Sequence, residues 1–111
     1  MDTASCSHFN SLDIRVGVIL KADVFPEAMK PAYVLTIDFG KELGMLKSSA
    51  QLTELYKPNE LIGTQILAVV NFPPKQIANF MSECLVLGVY SKEGVVLLST
   101  ERPCDIGDKL G

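Results

Sequence analysis

With 111 residues, 48% of them hydrophobic, the chain is large enough for one domain with one core and too apolar to stay disordered. Its formal net charge of −3 excludes a molecule-wide phosphate-binding surface, though not a local basic patch. No apolar run reaches the roughly 20 residues that a membrane span needs.

The stretch Met1–His8 has neither a basic start nor an apolar centre, so it does not read as a secretory signal, and a cytoplasmic protein is expected. Cys6, Cys84 and Cys104 are odd in number and widely spaced, with no Cys-x-x-Cys pair. Free thiols in a reducing compartment are expected, with neither a disulfide nor a zinc site. His8 is the single histidine and lies in a polar N-terminal stretch, where nothing would hold it as a base. No catalytic residue, metal or cofactor is expected.

Phe9–Asp13 reads as a short entry turn or helix that Asn10 or Ser11 can cap. Ile14 to Phe25 then alternates. Ile14, Val16, Val18, Leu20, Ala22 and Val24 form one face, the core face; Arg15, Gly17, Ile19, Lys21, Asp23 and Phe25 form the other. Gly17 marks a bulge or bend that lets one long strand serve two parts of a curled sheet. Pro26–Pro31 is a connector bounded by prolines. Tyr33, Leu35, Ile37 and Phe39 alternate as a second strand, Phe39–Glu42 turns, and Leu43–Lys47 is a third strand in a hairpin with it. Ser48–Gln51 suits a loop or helix start. Leu52–Lys57 predicts a short helix with Leu52, Leu55 and Tyr56 inward, stopped by Pro58.

Ile66–Val70 is apolar at every position. That pattern belongs to a central strand, or to one that also meets a second chain. It ends at Asn71-Phe-Pro-Pro74, because proline brings no ladder donor and holds its predecessor extended. Phe72 thus stands at a strand end beside a stiff turn, where it either caps the core or faces a ligand. Lys75–Ser82 fits neither a clean strand nor a full helix. Leu85–Tyr90 is a further strand, Lys92–Gly94 a hairpin turn, Val95–Leu98 a strand apolar on both faces, and Glu101–Gly111 irregular.

Five or six strands with one short helix between the third and fourth predict an all-β fold. Closure into a small barrel removes sticky edges, and this order is that of the five-stranded OB-fold; a small sandwich is the competitor. One barrel interior absorbs only one face of each strand. The surplus, with Val70, Val86, Val96 and Leu98 as candidates, predicts a homodimer.

Three segments, Leu12-Asp-Ile-Arg-Val-Gly-Val-Ile19, Lys47-Ser-Ser-Ala-Gln51 and Val69-Val-Asn-Phe-Pro-Pro-Lys-Gln-Ile77, occur in an order and spacing that resembles the tRNA-binding domain family. Ser48–Gln51, Tyr56-Lys-Pro58 and Ser82-Glu83 followed by Leu85-Val-Leu-Gly88 are most similar to its export-related chaperone branch. The resemblance covers residues 9–111 and leaves 1–8 as an N-terminal extension. It implies a non-enzymatic OB-fold homodimer. The chaperone branch implies binding of unfolded or precursor polypeptides on the Sec export route, with Sec components as further partners; the wider family implies tRNA. Lys75 and Ser82 match the basic residue and serine that the wider family carries after the prolines. Leu85 replaces a methionine, Gln76 a second basic residue, and Asn79 and Cys84 glycines.

Two residue sets follow. Phe72, Pro73, Ile77, Phe80 and Met81 offer apolar area and adaptability for a polypeptide groove, with Ser49 and Gln51 supplying hydrogen bonds to its backbone. Their bland role is to seal the barrel or the dimer. For tRNA, Arg15, Lys21, Lys47 and Lys75 would form a phosphate-contacting stripe with Ser82, or remain ordinary solvated charges. Ser48 and Ser49 can equally cap the short helix, and Asp13 and Arg15 can pair across Ile14.

Overall fold

The computed structural model describes residues 1–111. In chain order its elements are α1 (Cys6–Asn10), β1 (Ile14–Val24), β2 (Tyr33–Asp38), β3 (Met45–Ala50), α2 (Pro58–Leu61), β4 (Gln65–Val69), β5 (Lys75–Ile77), β6 (Phe80–Ser82), β7 (Leu85–Val86), β8 (Gly88–Tyr90) and β9 (Val95–Leu97). The main sheet runs β3-β2-β1-β4-β7, antiparallel throughout, and curls into the expected five-stranded OB-type barrel. Two hairpins, β5–β6 and β8–β9, are appended to it.

β1 serves two neighbours: Ile14–Val18 pairs with β4, and the stretch from Val18 to Val24 pairs with β2. Between them the register slips from Ile19↔Ile37 to Lys21↔Thr36, so Leu20 is the bulged residue. One extra residue inverts the period-2 alternation. The continuous core face read from the sequence is therefore broken. Leu20 and Val24 are exposed, whereas Ile19 and Phe25 are buried. Gly17 is not the bulge. A Cβ there would sit 2.6 Å from Ile37 Cγ2 and 2.7 Å from Phe39 Cε1, so its job is to let β1 approach the core.

The barrel interior is filled by Ile19, Tyr33, Leu35, Ile37, Phe39, Leu52, Leu61, Ile66, Ala68 and Cys84, among others. A second, smaller cluster joins Ile14, Val16, Leu67 and Val69 on the opposite side of β1 and β4, covered by Leu12, Leu87 and Cys104. Both faces of β4 are thus buried within one chain. Val70 and Val86, counted as surplus in the sequence, pack against the interior cluster; Val96 and Leu98 remain exposed.

The C-terminal stretch, irregular by sequence, supplies the edge that β1 lacks below its bulge. Val16 N donates to Asp108 O (2.9 Å), Gly107 N to Val16 O (2.8 Å) and Leu110 N to Ile14 O (2.9 Å). Gln65 fastens the same stretch, donating from Nε2 to Cys104 O at 2.7 Å.

Both short helices differ from expectation. The entry helix lies earlier, at Cys6–Asn10, where Ser11 forms its C-terminal cap. Residues 52–57 hold a single turn at 53–55 and no helix. Pro58 begins α2 instead of stopping a helix: its missing N–H is no loss at the first helical position. Glu60 reaches back to accept from Lys57 N at 2.8 Å. Ser48–Ala50 belongs to β3, so the third strand runs later than the alternation suggested. Lys75–Ser82 resolves into the β5–β6 hairpin, turning at Ala78 with φ +52°, and Phe80 packs edge-on to Phe25 with ring centroids 5.5 Å apart.

The barrel closes where β3 meets the segment after β6. Glu83 N donates to Lys47 O (2.7 Å), Lys47 N to a Glu83 carboxylate oxygen (2.9 Å), and Ser49 N to Ser82 Oγ (3.1 Å). Cys84 is buried beside this seam, and burial pushes its thiol up to about 12.

Because Ile37 and Phe39 are fully buried, they cannot yield to a methyl group at position 17. Gly17→Ala is expected to lower stability by about 1–3 kcal/mol, the usual range for overpacking, read as a drop in the urea midpoint. An unchanged midpoint would show that β1 can move outward there.

Candidate functional site

Beyond the clasp at Lys47 and Glu83, β3 and β7 leave a groove along the seam. It is made of three adjacent cavities, each sharing lining residues with the next. The first, of about 340 Å³, is lined by Ser49, Phe72, Pro73, Lys75, Ile77, Ser82, Glu83, Cys84 and Leu85. The second, of about 390 Å³, shares Ser49 and Leu85 with it and continues along Ala50, Gln51 and Leu52 on one side. Its other side is Val86, Leu87, Gly88, Tyr90, Val95 and Leu97. The third, of about 570 Å³, shares Gln51, Tyr90 and Val95 with the second and opens among Lys30, Pro31, Thr53, Glu54, Ser91, Lys92 and Gly94.

The β8–β9 hairpin forms much of the middle wall, and its pairing explains which side chains face inward. Gly88 lies opposite Leu97 and Tyr90 opposite Val95, and these line the groove. Val89 lies opposite Val96, and this pair faces away. Tyr56 holds the hairpin in place: its hydroxyl accepts from Leu97 N at 3.0 Å, while its carbonyl accepts from the Tyr33 hydroxyl at 2.7 Å. Leu87 bends the chain out of the main sheet. Its N–H still donates to Leu67, but its carbonyl accepts from Leu98 in the hairpin.

The residues expected to contact a polypeptide are partly gathered here. Phe72, Pro73, Ile77 and Ser49 line the first cavity, and Gln51 lines the second and third. The Ser49 backbone is occupied, since its N–H meets Ser82 and its carbonyl accepts from Ser48 Oγ at 3.1 Å. Its hydroxyl and the Gln51 side chain are left to meet a ligand. Phe80 instead packs on Phe25, outside the cavity, and Met81 is exposed on the opposite face of its hairpin, across from Gln76.

The tRNA set is split. Lys75 and Ser82 line the first cavity. Lys21, Thr36 and Lys47 are cross-strand neighbours in one row over β1, β2 and β3, and neither lysine is in an ion pair. Arg15 stands apart from that row. Its guanidinium is held by Asp13 at 2.6 Å and donates to Gly107 O at 3.1 Å, and the Asp13 hydrogen bond raises its pKa against the opposing effect of desolvation.

Leu85, Tyr90, Val95 and Leu97 are groove residues that the sequence reading did not assign. The signal for Val95 and Leu97 was the two-sided apolar character of Val95–Leu98, of which one face lines the groove while Val96 and Leu98 remain exposed. His8 lies on exposed α1, remote in sequence from every lining residue. No helix is long and apolar enough to cross a membrane.

Comparison with known proteins agrees with this architecture. The chaperone CsaA structure from Picrophilus torridus is 51% identical with a TM-score of 0.95, covering 98% of this chain and 100% of that one. The chaperone CsaA structure from Bacillus anthracis is 50% identical with a TM-score of 0.93, covering 99% and 100%. The methionine–tRNA ligase of Pyrococcus horikoshii is 33% identical over 110 residues, which is 99% of this chain but 15% of that enzyme's length. The family described as "Putative tRNA binding domain" matches residues 14–109, nearly the whole barrel with its hairpins and C-terminal edge, and it is to this family that the chain belongs.

Proposed function

We propose that the protein is a non-enzymatic, CsaA-like chaperone of the cytoplasm that holds extended segments of unfolded or precursor polypeptides along the seam groove. The observation that carries this reading is the continuity of apolar, solvent-facing lining from Phe72 through Leu85 to Tyr90, which are 44%, 47% and 93% exposed. Pro73 and Pro74 stiffen one end, so little ordering is required on binding. The likeness to two CsaA chaperones at about half identity supports the same reading. Residues 9–111 act as the binding domain, 1–8 as an extension, and Sec export components are the partners to which clients would pass.

Each apolar side chain fully buried contributes about 1.5–3 kcal/mol, and half-exposed ones gain only part of that. Phe72→Ala and Leu85→Ala are therefore each expected to weaken binding of an unfolded polypeptide about fivefold, with weak dependence on salt. Folded variants that suppress client aggregation as well as the parent would remove the groove from the function.

The outward face of the β8–β9 hairpin, Val89 with Val96 and the neighbouring Leu98, supports assembly as a homodimer without covering the groove wall. Val96→Glu should shift the mass in light scattering from two chains to one at micromolar concentration. A folded parent that is already monomeric there would overturn this part.

The row of unpaired lysines at positions 21 and 47 favours a second reading, tRNA binding on the outer barrel face. Lys21→Ala and Lys47→Ala are each expected to lower tRNA affinity and to reduce the salt slope by about one contact's worth. Unchanged slopes would remove the row from any RNA site.

A further inference from the structure

We propose that the groove is electrostatically directional: its Lys30–Lys92 end accepts carboxylates, so the segments it selects carry acidic side chains beside their apolar stretch. This rests on the polypeptide reading above and names the chemistry of the client.

The three cavities differ in charge. The first holds Lys75 and Glu83, which balance, and the Glu83 carboxylate is already engaged by Lys47 N–H. The middle cavity contains no charged residue. The third holds Lys30 and Lys92 against Glu54 alone. Neither lysine forms an ion pair, and both are exposed. A neutral end, an apolar middle and a positive end lie in sequence along one path, on a molecule whose net charge is −3. Glu93 follows Lys92 in the same exposed turn but does not line the cavity, so the lining itself carries one net positive charge on a chain that is acidic as a whole.

The positive end also has a defined frame and polar neighbours. Ser91 closes the turn that carries Lys92, its N–H and hydroxyl both donating to Gly94 O at 3.0 and 2.6 Å. Lys30 is fixed in sequence against Pro31, whose ring restricts the connector. Thr53 and Gln51 add groups able to hydrogen-bond a carboxylate. Five residue steps separate Leu85 from Tyr90 across the bend at Leu87, so the middle wall is at most about 16 Å long, room for no more than about five extended residues between the two ends. An apolar stretch of that length places the next side chains among the two lysines.

The test uses the full chain and fluorescent peptides, acetylated and amidated so that their termini carry no charge. Each has a five-residue apolar centre, with paired glutamates on the N-terminal or C-terminal flank, or paired glutamines on both. One of the two glutamate peptides should bind about fivefold tighter than the glutamine peptide at low salt, and high salt should remove the difference. In the folded Lys30→Ala/Lys92→Ala double variant that preference should vanish. Equal affinity of all three peptides for the parent, or a preference that survives in the double variant, overturns the inference while leaving the groove intact. Failure of every peptide to bind the parent overturns the polypeptide reading and the inference with it. If the double variant weakens tRNA binding but keeps the glutamate preference, the lysines serve phosphates, and the inference falls.

Discussion

Barrel closure in this protein depends on a clasp between Lys47 and Glu83. Both backbone polar groups of Lys47 are used there, one by a backbone N–H and one by a carboxylate, and the Ser82 hydroxyl accepts from Ser49 N two residues on. A regular ladder would have carried β3 against β7 along their whole length. A short clasp, one backbone hydrogen bond and two made by side chains, closes the barrel there and lets the strands part beyond it. The groove exists because the seam is pinned and not zipped.

The same geometry determines what the lining can be. Residues of β3 that face the seam are small, Ser49 and Ala50, whereas the opposite wall is supplied by β7 and the β8–β9 hairpin with Leu85, Tyr90, Val95 and Leu97. That hairpin is held by Tyr56 through Leu97 N, so its inward face is positioned by the barrel and its outward face is left free. The wall of the proposed binding groove and the proposed assembly surface are thereby back to back on five apolar positions. Occupancy of one face and docking on the other would be thermodynamically linked if either shifts the hairpin, and the linkage would be reciprocal.

Much of the fold was legible in the sequence because alternation survives wherever one strand face is buried. β2 follows directly from it, while the unbroken apolar run Ile66–Val69 in β4 and the turn at Lys92–Gly94 were legible from residue type alone. What escaped has specific causes. The Leu20 bulge inverted the faces of β1, and no residue type at that position announces a bulge. Pro58 is equally at home after a helix or at its first turn. The β5–β6 hairpin turns on Ala78 in the left-handed region, where glycine is the usual signal, so no turn was evident. For the site, Phe72, Pro73 and Ile77 were legible as apolar residues beside stiff prolines. Phe80 looked the same in sequence, and only packing against Phe25 separates it from them. Lys30 and Lys92 carried no local signal, because a connector and a hairpin turn normally bear solvated lysines.

The edge that Gly107–Leu110 provides to Ile14–Val16 has a consequence for how the chain is made. The lower half of the first strand of the barrel cannot complete its hydrogen bonding until residues more than ninety positions later have been synthesised, as the Arg15 to Gly107 contact spans 92 residues. During that interval Ile14 and Val16 present an unpaired, apolar strand edge, the kind of surface through which nascent chains misassociate. Such distant pairing also places the barrel among topologies that fold slowly for their size. A protein proposed to hold unfolded segments thus passes through its own period of exposure, which ends only when the two extremities of the domain meet.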